Sequence, residues 1–117
     1  MLRFWRATIN SRNGLAFAIR SEQAIREELV ALVLAVPMAW LVGVTIMRRI
    51  ELVAAVVLVL IVELLNTAIE KLADRLTTEH DTQIGRVKDM GSAAVGVSLL
   101  MAGLFWLFSI AERVGVI

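Results

Sequence analysis

Long apolar stretches alternate along the chain with short polar ones, and three of the apolar stretches approach the length of a bilayer crossing. They are 29–47 (LVALVLAVPMAWLVGVTIM), 50 to about 71, and 91–111 (GSAAVGVSLLMAGLFWLFSIA). A helix needs about 20 residues to cross roughly 30 Å of hydrocarbon. The first and third stretches carry no charged residue, so hydropathy alone predicts a span for each. The second differs. It is unbroken apolar sequence only from Leu52 to Val62 and must extend through 63–71 to reach membrane length. Glu63 is therefore predicted at membrane or interface depth, where an ionisable side chain is costly enough to suggest function.

Ahead of the spans, residues 2–20 interleave Phe4, Trp5, Ile9, Leu15, Phe17 and Ile19 with Arg3, Arg6, Arg12 and Arg20. Such a mixture predicts an amphipathic helix lying at headgroup level, with a solvated tail as the alternative. Asn13-Gly14 predicts a break within it, and Ser21 is the expected cap of the next helix, with Glu22 in its first turn. The first long apolar run begins only near Leu29, behind Glu22, Glu27 and Glu28, so the N-terminus does not resemble a cleaved signal and is expected to be retained. Between the second and third spans a polar loop, about 72–90, is expected. The whole chain, 1–117, forms one all-α membrane domain in this reading.

Composition narrows the chemistry. The 117 residues are 59% hydrophobic, which excludes an ordinary soluble domain, and the lack of cysteine excludes disulfides, thiolate metal sites and cysteine nucleophiles. Oxygen and imidazole ligands remain. The net charge of +1 and the scatter of the twelve basic residues argue against a nucleic-acid partner. Five of those twelve precede the first span, four (Lys71, Arg75, Arg86, Lys88) lie between the second and third, and only Arg48, Arg49 and Arg113 lie opposite. The positive-inside rule then puts the N-terminus and the 72–90 loop in the cytoplasm and the C-terminus outside.

Glu63, Asn66 and Glu70 follow one another at i, i+3 and i+7, a single helical face that Thr67 and Asp74 nearly share. Buried polar side chains glue membrane helices together, and that is one reading of Glu63 and Asn66. The other is a site, favoured by a second carboxylate beyond Asn66 and by Glu22, Glu27 and Glu28 arriving at the same interface. Two carboxylates from different helices suit Mg²⁺, which takes hard oxygen ligands along with phosphate oxygens. In the loop, Lys88-Asp89 stands just before an expected helix start, where by itself Lys88 reads first as a snorkelling anchor and Asp89 as the N-cap, and the single histidine, His80, stands between Glu79 and Asp81. No Gly-x-x-x-x-Gly-Lys-Ser/Thr phosphate loop occurs. Ser92, Gly96 and Gly103 share a face of the third span and read as a close-packing surface. Trp5, Trp40 and Trp106 fit interface anchoring or packing, and Pro37 a kink. Three spans bury little of their own polar surface, so oligomerisation is expected.

Three segments at these separations, SEQAIREE (21–28), VELLNTAIEKLADR (62–75) and GRVKDMGSAAV (85–95), resemble the prokaryotic membrane diacylglycerol kinase family. The likeness runs from about Arg3 to the end of the third span, and the Met-Gly-Ser-Ala-Ala continuation resembles the diacylglycerol-using branch more than the undecaprenol-using one. The resemblance implies a homotrimer with active sites shared between subunits, which transfers the γ-phosphoryl of MgATP to a lipid hydroxyl at the cytoplasmic surface of the inner membrane. Position by position it implies Glu63 as catalytic base, with Asn66 beside it, and Glu22 and Glu70 as metal ligands. It implies nucleotide contacts for Arg3, Asn10, Glu22, Glu70, Glu79, His80, Asp81, Lys88 and Asp89, and a lipid-binding region at Arg26, Glu28, Glu63 and Ser92. Two positions depart from the family pattern: Asn10 stands where tyrosine is expected, and Glu79-His80-Asp81 replaces Glu-Tyr-His. Undecaprenol as acceptor is the nearest alternative. A small proton-coupled transporter is more distant, because it gives no reason for Glu22, Glu70, Lys88 and Asp89 to converge on one surface.

Overall fold

The computed structural model describes residues 1–77 and 79–117 and is all-helical, with four helices among the described residues. They are α1 (Leu2–Ser21), α2 (Gln23–Val42), α3 (Ile46–Leu76) and α4 (Thr82–Arg113). Two of them, α3 and α4, are long and apolar enough to cross a membrane. At 1.5 Å per residue the 31 residues of α3 extend about 46 Å, well past the hydrocarbon core, which carries its polar end into the interface.

The first expected span is shorter than its apolar sequence. Helix α2 ends at Val42, so its uncharged part from Leu29 onward covers about 21 Å, and Gly43–Thr45 turn the chain before α3 begins. A methyl group at Gly43 would collide with Arg49 and the Ala39 carbonyl, so the absence of a side chain allows this tight return. Thr45 then caps α3, its hydroxyl accepting from the Arg48 backbone N–H at 3.0 Å. Pro37 lies within α2, which continues through it.

Other expected boundaries move as well. Asn13-Gly14 does not break α1, because nothing crowds Gly14 and the flanking residues are ordinary helix formers. Glu22, not Ser21, stands between α1 and α2, in extended conformation. Most of the expected 72–90 loop is helical: α3 runs to Leu76, and α4 starts at Thr82, where Asp81 Oδ1 accepts from the Gln83 and Ile84 backbone N–H groups. Asp81 is thus the cap expected of Asp89, which lies exposed about two turns inside α4.

Helix α3 is the central element, packed along α4 on one side and α2 on the other, while α2 and α4 scarcely meet. The α3–α4 seam is built from small side chains: Ala55, Val59 and Ala102 form its apolar centre, with Gly91, Ser98 and Ser109 buried along the same face of α4. Small residues allow close backbone approach where no hydrophobic force drives helices together. The face expected to do this, Ser92, Gly96 and Gly103, instead points outward within one chain, with open space around both glycines. Ile50, Leu58, Ile61, Leu65, Leu72 and Leu76 likewise leave a continuous exposed apolar face on α3, suited to acyl chains or to another subunit.

Candidate active site

The loop-side half of α3 carries the polar residues that the apolar half lacks. Asn66 is buried and Glu63 and Glu70 are half-buried on neighbouring positions of that helix. Asn66 Nδ2 donates to Glu70 Oε1 at 3.2 Å, as the i, i+4 relation allows. Glu63 stands close enough to both Glu70 and Glu28 of α2 for their charges to interact. None of Glu28, Glu63 and Glu70 has an ion-pair partner among the described residues. Burial first, then the negative charges of Glu63 and Glu27, raises the Glu28 carboxyl above the ordinary carboxylate range. Glu63 is therefore the middle member of a row of carboxyl groups, coupled to Glu28 on one side and to Glu70 on the other, and none of the three is ion-paired among the described residues.

Around this acidic group the remaining candidates separate. Glu22 is paired with Lys71, Nζ to Oε1 2.9 Å, and the same ammonium lies 5.1 Å from the Phe17 ring centre, so one lysine holds the α1–α2 junction against α3. Lys88 bonds Asp74 across the α3–α4 turn. Arg26 turns back to donate to the carbonyls of Ile19 and Arg20 at 2.8 and 3.2 Å, closing the end of α1. Arg3, Asn10, His80, Asp89 and Ser92 are exposed and make no side-chain hydrogen bond among the described residues, though the Arg3 guanidinium lies 5.9 Å from the Phe4 ring centre. The backbone N–H of Glu79 donates to Thr77 Oγ1, and its side chain is exposed. Between α1 and α3 lies a cavity of about 510 Å³, lined mainly by apolar groups of Leu15, Phe17, Leu64 and Ala68, with Thr67 and Lys71 at its polar margin.

Lys71, Asp74 and Gly91 belong to this region without having been singled out as site residues. Asp74 carries a sequence signal, since it follows Glu70 by one turn on nearly the same face, and Lys71 carries only that of a cation next to a carboxylate. Gly91 carries none, because a glycine at the start of an apolar run looks like any other.

The acidic set suits a hard divalent cation by donor type, but no group of three or more acidic or histidine side chains close enough to enclose an ion occurs among the described residues. Glu70 retains one oxygen not engaged by Asn66. Magnesium commonly takes one or two carboxylates and completes its shell with water and substrate phosphates, so the donors present fit that ion when a nucleotide supplies the rest. Glu28, Glu63 and Glu70 stay partly exposed, so the chain by itself does not enclose them.

An all-helical chain with two membrane-length helices and a cluster of unneutralised carboxylates beside their polar ends has the makings of a membrane enzyme acting on charged co-substrates. The match to known proteins identifies which class. The family model for prokaryotic diacylglycerol kinase matches residues 9–110. The diacylglycerol kinase of Escherichia coli (strain K12) is 42% identical over 105 residues, covering 90% of this chain and 86% of that protein. Those of Pseudomonas aeruginosa (39% over 104 residues; 89% and 85%) and Haemophilus influenzae (37% over 100 residues; 86% and 85%) are similar over comparable lengths. The chain belongs to the prokaryotic diacylglycerol kinase family. It is accordingly an enzyme of the kinase class, with ATP as co-substrate.

Proposed function

We propose that this protein transfers the γ-phosphoryl group of MgATP to the free hydroxyl of diacylglycerol, giving phosphatidic acid and ADP. The observation that carries the reading is the group Glu28, Glu63 and Glu70, acidic, half-buried and without a cationic partner, at the junction of apolar and polar sequence on α2 and α3. A lipid alcohol arrives from the apolar side and a nucleotide from the polar side, so a site for both belongs at that junction.

In this scheme the lipid hydroxyl oxygen attacks the γ-phosphorus, its bond to phosphorus forms as the bond to the β-γ bridging oxygen breaks, and its proton passes to the Glu63 carboxylate. Phosphoryl transfer asks the protein mainly for positioning and charge neutralisation, and a general base at the acceptor is the remaining need. Asn66 orients Glu70 through its amide. Glu70 and Glu22, the latter on release from Lys71, are the residues that would hold Mg²⁺, and the ion would supply neutralisation of phosphate charge there. Lys88 and Arg3 face the nucleotide, joined by Asn10, Glu79, His80 and Asp89. Arg26, Glu28 and Ser92 border the lipid. Asp81 is left to its capping role, since its carboxylate already accepts two backbone N–H bonds.

The same reading makes the protein a homotrimer of three-span subunits in the inner membrane, with the N-terminus cytoplasmic, the C-terminus outside and α1 at the headgroups. The partly exposed carboxyl groups and the uncovered apolar face of α3 support an assembly in which a second subunit completes each site.

The test is purified full-length protein in detergent with MgATP and either diacylglycerol or undecaprenol in mixed micelles. Phosphorylated diacylglycerol at the higher initial rate is expected. A faster rate on undecaprenol would reassign the acceptor, and no ATP consumption with either lipid would remove the kinase reading.

A further inference from the structure

Asn66 is only 8% exposed, and half of its amide is satisfied. Nδ2 donates to Glu70, whereas Oδ1 is buried without a hydrogen-bond partner. An ionised carboxylate only accepts, so the amide must turn its NH₂ group toward Glu70, and this directs the carbonyl oxygen at α4. The residue of α4 it meets is Gly91. A methyl group at Gly91 would fall on Asn66 Oδ1 itself, with Asn66 Cγ 3.3 Å and Cβ 4.0 Å away. The volume that a side chain at position 91 would fill is the volume that the Asn66 amide occupies.

Glycine inside a helix is unfavourable relative to alanine, so its presence within α4 calls for an offsetting reason. A methyl group at Gly85, Gly96 or Gly103 of the same helix would meet nothing within 4 Å, and within one chain only Gly91 of these four is obstructed. We infer that Gly91 is a positioning residue for phosphoryl transfer, leaving the gap in α4 that lets Asn66 hold the Glu70 carboxylate in one orientation. The inference rests on the reading of Glu70 as a metal ligand. A side chain at 91 would either push α4 away or rotate the Asn66 amide, and in both cases the Nδ2–Oε1 bond is lost and Glu70 is free to turn.

Four full-length proteins in detergent test this: parent, Gly91→Ala, Asn66→Ala and the double variant. Two quantities are read, the Mg²⁺ concentration for half-maximal rate and the rise in unfolding temperature when Mg²⁺ and a non-hydrolysable ATP analogue are added. Gly91→Ala and Asn66→Ala should each raise the Mg²⁺ requirement by about 10–100-fold, the usual effect of losing an outer partner of a metal ligand, and shrink the ligand-induced temperature rise. The KM for lipid should stay unchanged. The double variant should be no worse than Asn66→Ala, because the obstructed atoms are then gone and the two effects share one cause. Losses that multiply in the double variant, or a Gly91→Ala protein that is merely less heat-stable with parental Mg²⁺ dependence, would overturn the inference. If Gly91→Ala is not recovered folded, recovery of the double variant at the Asn66→Ala level supports it, and loss of both overturns it. Parental Mg²⁺ dependence in both Asn66→Ala and Glu70→Gln would instead strike the metal-ligand reading beneath it.

Discussion

Both ends of the α3–α4 pair carry ion pairs between helices, but only the loop end leaves half-buried carboxyl groups unpaired among the described residues. Near the start of α3, Arg48 is held by a bidentate bond to Glu112 (Nε–Oε1 3.0 Å, Nη2–Oε2 3.3 Å) and by Glu51 at 2.8 Å, and its guanidinium lies 4.9 Å from the Phe108 ring centre. Its neighbour Arg49 lies 4.0 Å from the Trp40 ring centre and donates to the Gly43 carbonyl. Each of these charges has a partner within the chain. At the other end Lys71 and Lys88 are paired with Glu22 and Asp74, but Glu28, Glu63 and Glu70 have no ion-pair partner among the described residues, and the Asn66 carbonyl oxygen is buried without a hydrogen bond. Charge-assisted, bidentate pairs are what a protein uses to fasten helices. Like charges left together at similar depth oppose folding, so their retention is explained by something that binds them. One end is a fastener, and the proposed function makes the other a receptor.

The comparison breaks most sharply on Glu63. Glu63→Gln should lower the phosphoryl-transfer rate by roughly 10²–10⁴-fold, the usual contribution of a general base, while the unfolding temperature holds or rises because a repulsive charge is gone. Near-parental turnover would make the acidic end a fastener as well. Next in size, Glu70→Gln should weaken the apparent Mg²⁺ affinity at least as much as the loss of an outer partner, about 10–100-fold or more, measured as the metal dependence of initial rates. Subunit dissociation as its sole defect would favour helix glue. At the opposite end, Arg48→Ala should lower the unfolding temperature by a few degrees, because Glu112 and Glu51 lose their common partner, and should leave the KM for ATP and lipid unchanged. A selective rise in either KM would show that this end is more than structural. The smallest effect belongs to the cap: Asp81→Ala should cost about 1 kcal/mol in chemical denaturation and Asp81→Asn much less, with the KM for ATP the same in both. A changed KM for ATP in Asp81→Asn would return this residue to the nucleotide.

Much of the acidic end could be read before any coordinates. The i, i+3, i+7 spacing of Glu63, Asn66 and Glu70 was enough to put them on one face of a helix, and the Asn66–Glu70 bond follows from that spacing. Helix ends were less legible. Asp81 and Asp89 are equally good caps as residue types, and α4 starts at the earlier one because Thr82 to Asp89 continue a helix without a breaker stronger than Gly85. Which small-residue face meets α3 was not legible for a related reason. Gly91, Ser98 and Ser109 and the outward set Ser92, Gly96 and Gly103 are both helical stripes of small residues, and nothing local distinguishes the one that meets α3.

Apolar run lengths, the acidic stripe on α3 and the all-helical class were already written in the order of residues, because each depends on neighbours within a turn or two and on transfer from water into lipid. Pairings across the chain were not: Glu22 with Lys71, Asp74 with Lys88, Arg48 with Glu112, and Gly91 against Asn66. A lysine or a glycine suits many partners equally well by chemistry alone. Which one it meets is a matter of distance through space, and that is settled only when α3 takes its place between α2 and α4.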